Sequence, residues 1–219
     1  MKKLALVFTG DEFADGGEHI LSVLKNQQIP GSFFLTGNFY RNQGFEKIIR
    51  SLLSDGHYLG AHSDRHLLYC DWNNRDSLLV TKEEFINDLE NNYKVTKKFG
   101  ISKKEALYFL PPYEWYNDTI SNWIKSMDLQ LINFTPGTLS NADYTTPDMP
   151  NYRGSEVIYQ SIIDFESENE NGLNGFILLS HIGTAPERED KFYNYLDALI
   201  TVMKTKGYKF IRIDELLNP

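Results

Sequence analysis

The sequence is poor in cysteine and in positive charge. It contains one cysteine, Cys70, so an internal disulfide and a cysteine-rich zinc module are both excluded. Lysine and arginine total 22 against 30 aspartates and glutamates, which gives a net charge of -8. An acidic chain without a basic stripe disfavours nucleic acid as a partner. Because only one cysteine is present, any metal site must be built from histidines and carboxylates.

Long apolar runs are also lacking. No stretch of the sequence approaches the ~18 apolar residues that a membrane-spanning helix needs. Met1-Lys2-Lys3 is similar to the charged start of a signal peptide, but the apolar run Leu4–Phe8 is too short for a signal core. The sequence thus predicts no membrane segment, and a cytoplasmic location if the chain is complete. It gives no indication of the oligomeric state.

Short apolar runs alternate with stretches whose apolar residues recur every three or four positions, the period of an amphipathic helix. The predicted strands are 4–8, 32–35, 58–61, 107–110, 130–134, 176–179 and 209–213. The predicted helices are 17–26, 45–53, 82–99, 116–127, 155–166 and 191–206. Seven strands alternating with helices indicate parallel pairing and an α/β barrel, within a single domain spanning residues 1–219. In such a barrel the active site lies in the loops that follow the strands.

One connection is too long and too rich in turn residues for an ordinary loop. Thr135–Arg153 contains four Pro and Gly residues among Asn, Asp and Tyr, and is predicted to be a substrate-side loop. Its charged residues Asp143, Asp148 and Arg153 are expected to be solvated. The aromatic residues Trp72, Tyr113, Trp115 and Tyr116 offer faces for a sugar ring, although aromatic residues at strand ends more often belong to the core.

Two histidines follow the third predicted strand. His62 and His66 lie four residues apart, a spacing that brings two imidazoles to one side of a turn, where both reach a single divalent ion. Spacing alone is equally compatible with two ordinary surface or core histidines.

Further motifs strengthen the metal interpretation. His62-Ser-x-x-His66 resembles the metal motif of the polysaccharide deacetylase superfamily, carbohydrate esterase family 4. Four other segments resemble parts of the same family in the same order: Gly31-Ser-Phe-Phe-Leu-Thr-Gly37, Asp55-Gly-His-Tyr-Leu-Gly60, Pro111-Pro112-Tyr113 and Leu179-Ser180-His181. Together these matches cover most of the chain.

The resemblance implies a deformed (β/α) barrel of about seven parallel strands, which holds one divalent ion and removes acetyl groups from N-acetylated sugars or glycans. The ion is expected to be zinc, with cobalt, nickel or iron also compatible with imidazole and carboxylate ligands. His62 and His66 take the place of metal ligands. By the same resemblance, His181 is the general acid that protonates the leaving nitrogen, and the backbone N–H of Tyr113 helps to hold the oxyanion.

The sequence departs from the family at its first motif. The family has two aspartates, a base and a metal ligand, where this chain has Thr9 and Gly10. Asp11 is the predicted third metal ligand and Glu12 a candidate base, with Asp15 a further candidate ligand. The alternative for Asp11 is a loop carboxylate that caps the helix beginning near Gly17.

The second departure is Leu110, where the family has an arginine that orients the missing base. The absence of the aspartate explains the absence of the arginine, because a buried guanidinium without a partner is costly. Glu114 is the favoured replacement base and Glu12 the next. The alternative for Glu114 is an exposed carboxylate at the start of the following helix.

Three functions remain open from the sequence. The leading hypothesis is a metal-dependent sugar N-deacetylase. The first rival is a hydrolase of another C–N bond in a small amide or imide, which the same metal site would serve. The second is a catalytically inactive relative that binds metal and glycan, a reading favoured by Thr9, Gly10 and Leu110 and opposed by the presence of His181.

Overall fold

The computed structural model describes residues 2–218 and contains one mainly parallel sheet surrounded by helices. The strands are β1 (Lys2–Gly10), β2 (Ser32–Leu35), β3 (Tyr58–Ala61), β4 (Tyr108–Phe109), β5 (Gln130–Leu131), β6 (Phe176–His181) and β7 (Tyr208–Phe210). The helices are α1 (Gly17–Asn26), α2 (Gly37–Arg41), α3 (Glu46–Ser54), α4 (Lys82–Thr96), α5 (Asp118–Ser126), α6 (Ser155–Glu168), α7 (Leu196–Thr205) and α8 (Ile213–Leu217). Within the described residues, no helix has the length and apolar character needed to cross a membrane.

The sheet curls into a half-barrel. Its strand order is β5-β4-β3-β2-β1-β6, and β7 pairs with the amino-terminal part of β1. The two edges approach each other where the chain leaves β5: the Thr135 N–H donates to the Ile177 carbonyl at 3.1 Å, and the Ile177 N–H donates to Thr135 Oγ1 at 3.0 Å. This architecture confirms the predicted α/β fold with a deformed barrel of about seven strands.

The two faces of β1 bury different parts of the core. Leu4, Leu6 and Phe8 pack against the surrounding helices, whereas Ala5 and Val7 face the inside of the curled sheet. Because both faces are covered, β1 is a continuous apolar run, as expected for a central parallel strand.

Strand register brings the chemically important residues to one edge. Thr9 pairs with His181 across β1 and β6, while Leu35 of β2 pairs with Ala61 of β3, which in turn pairs with Phe109 of β4. Since all these strands are parallel, the segments that follow them meet at the carboxyl-terminal end of the half-barrel.

Candidate active site

A cavity of about 560 Å³ opens at the carboxyl-terminal end of the strands. Its walls come from the segments after β1, β3 and β4, from the end of β6, and from the loop 135–153. Except for the further candidate Asp15, all the site residues predicted from the sequence line it: Asp11, Glu12, His62, His66, Tyr113, Glu114 and His181.

The two motif histidines lie side by side, with ring centroids 5.2 Å apart. His62 Nδ1 donates to the Leu110 carbonyl at 2.7 Å, because a carbonyl can only accept. That bond fixes the tautomer and leaves Nε2 without a proton, free to bind an ion. Burial lowers the pKa of both imidazoles, and the proximity of His66 lowers that of His62 further. Both rings are therefore neutral, the form that metal ligands require.

A buried aspartate of α4 holds the histidine loop in shape. Asp88 accepts from Ser63 Oγ at 2.7 Å, from the Asp64 N–H at 2.9 Å and from the Arg65 N–H at 3.2 Å. Ser63 Oγ in turn accepts from the His66 N–H at 3.0 Å. Ser63 and His66 both have left-handed φ angles, +75° and +56°, which cost free energy and persist only where the surroundings enforce them.

Replacement of this carboxylate should destabilise the fold. In Asp88→Ala the Asp64 and Arg65 N–H groups and the Ser63 hydroxyl lose a charged acceptor, so we expect the free energy of unfolding to fall by about 3 kcal/mol. Urea denaturation followed by circular dichroism measures the loss. The control is Glu90→Ala, an exposed carboxylate on the same helix, which should change stability by less than about 0.5 kcal/mol. Equal stability of the two variants would show that Asp88 does not support the loop.

Asp11 follows the last residue of β1 and is held by the β2–α2 segment. Its Oδ1 accepts from Thr36 Oγ1 at 2.6 Å and from Asn38 Nδ2 at 3.2 Å. The structure does not place Asp11 as the cap of α1, since Gly16 occupies that position without a side-chain hydrogen bond. Among residues 2–218, however, no group of three His, Cys, Asp or Glu side chains is arranged to hold an ion. The histidine pair fits a divalent ion, because the His62 tautomer leaves Nε2 free to bind it. Asp11 as the third ligand stays a prediction.

The remaining acidic residues of this segment separate into two environments. Glu12 is exposed and lines the cavity. Asp15 instead accepts from the Thr184 N–H at 2.8 Å and pairs with Lys191 at 2.9 Å, so the structure gives it a structural role rather than that of a ligand.

The Pro-Pro-Tyr segment forms a strained turn. Tyr113 and Glu114 have consecutive left-handed φ angles of +59° and +54°, closed by the Glu114 N–H donating to the Pro111 carbonyl at 3.0 Å. Within residues 2–218 the Tyr113 N–H has no hydrogen-bond partner. Strain of this kind concentrates at functional sites, and here it borders the cavity.

Glu114 lies in the cavity wall rather than at a helix end. The helix that follows begins at Asp118 and is capped by Asn117, so the interpretation of Glu114 as an exposed helix-start carboxylate is wrong. Burial raises the pKa of Glu114 to about 7, an effect reinforced by Asp143 and opposed by His181. A carboxyl group with this pKa exchanges a proton near neutral pH, which is what a general base must do.

His181 is paired with a buried carboxylate. Its Nδ1 donates to Asp143 Oδ1 at 2.6 Å, and its backbone N–H donates to Asp143 Oδ2 at 2.8 Å. Burial lowers the pKa of His181, but the charge and hydrogen bond of Asp143, together with Glu114, outweigh it and leave the pKa raised. The expectation that Asp143 is a solvated loop charge is wrong, because only 3% of its side chain is exposed.

A buried arginine, which the sequence analysis missed, organises the loop that carries Asp143. Arg188 donates to the Thr145 carbonyl at 2.6 Å, to the Arg153 carbonyl at 3.0 Å and to Ser155 Oγ at 3.1 Å. It therefore ties together the two ends of the segment 145–153, from which Thr146 and Met149 reach the cavity. No motif marks Arg188, and its partners are mostly backbone carbonyls that sequence does not reveal.

The comparison with known families agrees with this geometry. The family profile described as polysaccharide deacetylase matches residues 2–132, more than half of the chain. The chain belongs to the polysaccharide deacetylase family. The family predicted from the motifs is thereby confirmed, although the matched region ends before His181 and Asp143.

Individual relatives have low sequence identity to this chain but align with almost all of its length. The peptidoglycan-N-acetylmuramic acid deacetylase PdaA of Bacillus subtilis (strain 168) is 26% identical over 99% of this chain and 72% of its own length. A family 4 acetyl xylan esterase from Clostridium thermocellum, solved with a cobalt ion, has a TM-score of 0.74 at 22% identity and covers 99% of this chain and 91% of its own. A CE4-family pseudoenzyme from Bacillus anthracis also has a TM-score of 0.74, at 19% identity, and covers 99% and 65%. The two solved structures share the fold.

Proposed function

We propose that this polysaccharide deacetylase family member is a metal-dependent hydrolase that removes N-acetyl groups from a sugar or glycan. The observation that carries the proposal is the convergence of three features on one cavity: the neutral pair His62 and His66, the carboxyl group of Glu114 with its pKa of about 7, and the Asp143–His181 pair. The deacetylase relative named above gives independent support for the reaction class.

The ion is assigned to His62 and His66, with Asp11 as the third ligand. A divalent ion bound there would polarise the acetyl carbonyl and acidify a water molecule, the chemistry expected of a site with three protein ligands and an open position. Zinc is the first choice, and the cobalt-bound structural relative supports cobalt as an alternative. Nickel and iron are also compatible with these ligand types.

The protein's own groups move the protons. Glu114, favoured over Glu12 because it is half-buried and its pKa is raised, takes the proton of the attacking water. The N–H of Tyr113, which has no partner among residues 2–218, is assigned to the oxyanion, because a preorganised donor costs nothing to orient during the reaction. His181, whose pKa is raised by Asp143, then donates to the departing amine, which leaves poorly as an anion.

Loss of one histidine should abolish metal binding. We expect the purified chain to hold one zinc ion after reconstitution and dialysis, and His62→Ala to hold none, because a single imidazole and a carboxylate bind too weakly. Elemental analysis of the dialysed protein gives the stoichiometry. The control is His19→Ala, an exposed histidine outside the cavity, which should bind like wild type.

Two outcomes would contradict the assignment. If the wild-type chain binds none of zinc, cobalt, nickel or iron, metal dependence is wrong. If His62→Ala retains one ion per chain, the ion lies elsewhere.

The activity itself is tested by measuring acetate release from oligomers of N-acetylglucosamine. The competing proposal of an inactive binding protein is supported by Thr9 and Gly10 and by the structural likeness to a pseudoenzyme. Steady acetate release that depends on the ion would exclude it. Binding of the oligomers without release of acetate would favour it over the deacetylase.

A further inference from the structure

The exposed large apolar residues of this protein are concentrated at the cavity. Of the eight such residues among those described, five line it: Phe13, Trp72, Tyr113, Tyr144 and Met149. Apolar side chains gathered at one opening rather than scattered over the surface mark a ligand-binding groove.

Trp72 is the most exposed of the five, with 53% of its surface open, yet it is supported from within the protein. Its ring lies 5.7 Å from that of Trp115 at an interplanar angle of 33°. Trp115 is itself fixed by a hydrogen bond from its Nε1 to the Asp71 carbonyl at 3.3 Å and by the Arg75 guanidinium 4.1 Å from its ring centroid. An aromatic face that is open to solvent but held in place is preorganised for stacking.

This supported ring adjoins the histidine pair through Tyr113. The rings of Trp72 and Tyr113 meet at 78° with centroids 5.5 Å apart, and Tyr113 lies 4.5 Å from His66. Beside the proton donor, Tyr144 lies 5.4 Å from His181. Aromatic rings thus flank both chemical groups, and Trp72 extends the aromatic surface outward from His66.

Apart from its histidines, of which His181 is paired with Asp143, the ionisable side chains of the cavity are all acidic. Asp11, Glu12 and Glu114 contribute carboxyl groups, and none of the described lining residues is lysine or arginine. A divalent ion at the histidine pair would offset the charges of Asp11 and Glu12 and would not make the cavity cationic.

The cations that lie near the cavity are already engaged. Lys191 pairs with Asp15 and donates to the Thr184 carbonyl, and buried Arg188 donates to backbone carbonyls of the loop. Arg75, which lies against Trp115, donates to the Tyr116 carbonyl. A carboxylate on a bound sugar would therefore meet no lysine or arginine among the described lining residues and would lose hydration without that compensation.

We propose that Trp72 is the platform for a sugar ring next to the reacting one, and that the cavity selects uncharged N-acetylated glycans against glycans that carry carboxylates. The proposal rests on the proposed function and deepens it by defining the substrate class. A protonated amino sugar beside the reacting ring is compatible with the acidic walls, so partly deacetylated glycans remain substrates.

The platform is tested with Trp72→Ala in the zinc-reconstituted chain. We expect the dissociation constant for an N-acetylglucosamine tetramer to rise on the order of tenfold, because stacking on the ring is lost. Titration calorimetry measures this constant, and the tetramer is checked afterwards for deacetylated product. KM should rise similarly while kcat changes little, since Trp72 touches no reacting atom. Trp72→Phe keeps an aromatic face and should restore most of the affinity.

The matched control is Leu79→Ala. Leu79 is a similarly exposed apolar residue of the same β3–α4 connection but lies outside the cavity, so its loss should leave binding unchanged. Equal affinities of Trp72→Ala and wild type would overturn the platform.

The charge selection is tested with three tetramers. The first is the N-acetylglucosamine tetramer, the second alternates N-acetylglucosamine with N-acetylmuramic acid, and the third is the methyl ester of the second, which keeps its size but not its charge. We expect the carboxylate form to bind about tenfold more weakly than its ester at low salt, and the difference to shrink as salt screens the charges. A carboxylate form that binds as tightly as its ester would overturn the selection.

Failure of this inference is distinguishable from failure of the proposed function. A chain that binds the neutral tetramer through Trp72 but releases no acetate keeps the platform and loses the deacetylase. A chain that releases acetate equally well with and without Trp72, and from charged and ester forms alike, keeps the deacetylase and loses the inference. A chain that binds none of the three tetramers contradicts the platform outright.

Discussion

Glu114→Gln is expected to lower kcat for acetate release by ~10²–10⁴-fold, the usual contribution of a general base. Glutamine retains the shape of the side chain and its ability to accept a hydrogen bond, but it cannot take a proton from water. Zinc stoichiometry should be unchanged, because Glu114 is not among the assigned ligands. Initial rates of acetate release, together with metal analysis of the same samples, provide the measurement.

The acidic limb of the pH profile gives an independent readout for the same residue. Burial raises the pKa of Glu114 to about 7, so its basic form is populated only as the pH rises through that value. In the wild-type enzyme kcat/KM should therefore increase through about pH 7. This limb should disappear in Glu114→Gln, whose residual rate depends on solvent as proton acceptor.

Glu12→Gln is the control, because Glu12 lines the same cavity and lies next to Asp11 but is exposed. We expect this change to reduce kcat much less. If Glu114→Gln keeps full activity and Glu12→Gln loses it, the base is Glu12. If neither change matters in an active enzyme, both residues are structural, and the proton passes directly to solvent.

The fold was largely predictable because its signals are local. The alternation of apolar runs and amphipathic stretches placed all seven strands and six of the helices. The two helices that were missed, α2 and α8, are five residues long, too short for a helical period to be recognised. The start of α2 is set instead by the Thr36 side chain, which accepts from the Phe39 N–H. A cap of this kind is evident only once the preceding strand is known to end there.

The candidate site was predictable where the chemistry follows a strand and unpredictable where it depends on distant partners. His62, Glu114 and His181 each stand at or just after a strand, so their convergence followed from parallel topology. Asp143 reaches His181 across 38 residues of chain, from a loop whose course no sequence pattern fixes. The composition of this loop suggested that its charged residues are solvated. Buried Arg188 holds the loop in place, and it does so mostly through hydrogen bonds to backbone carbonyls, which the sequence does not reveal.

Asp11, the ligand predicted from the sequence, shows a third case. The sequence offered Asp11, Glu12 and Asp15 in succession, and local pattern could not divide their roles. In the structure, contacts with other segments separate two of them. Thr36 and Asn38 donate to Asp11 at the cavity, whereas Asp15 binds Thr184 and Lys191 outside it. Each assignment depends on which neighbouring segment the β1–α1 connection contacts, which is a tertiary property.

The partner of His181 permits the second large prediction, that Asp143→Asn lowers kcat by ~10²-fold or more, at the lower end of the general-acid range. Asparagine preserves the size of the side chain but removes the charge that keeps the imidazole protonated. The pKa of His181, raised by Asp143, should fall in the variant. As the proposed general acid, His181 would act in its protonated form, so activity should be lost as the pH rises through this pKa. The alkaline limb of kcat/KM should therefore move to lower pH in the variant. The exposed loop carboxylate Asp148 supplies the control, since Asp148→Asn should leave that limb in place. An alkaline limb that is unmoved in Asp143→Asn would mean that another group protonates the leaving amine.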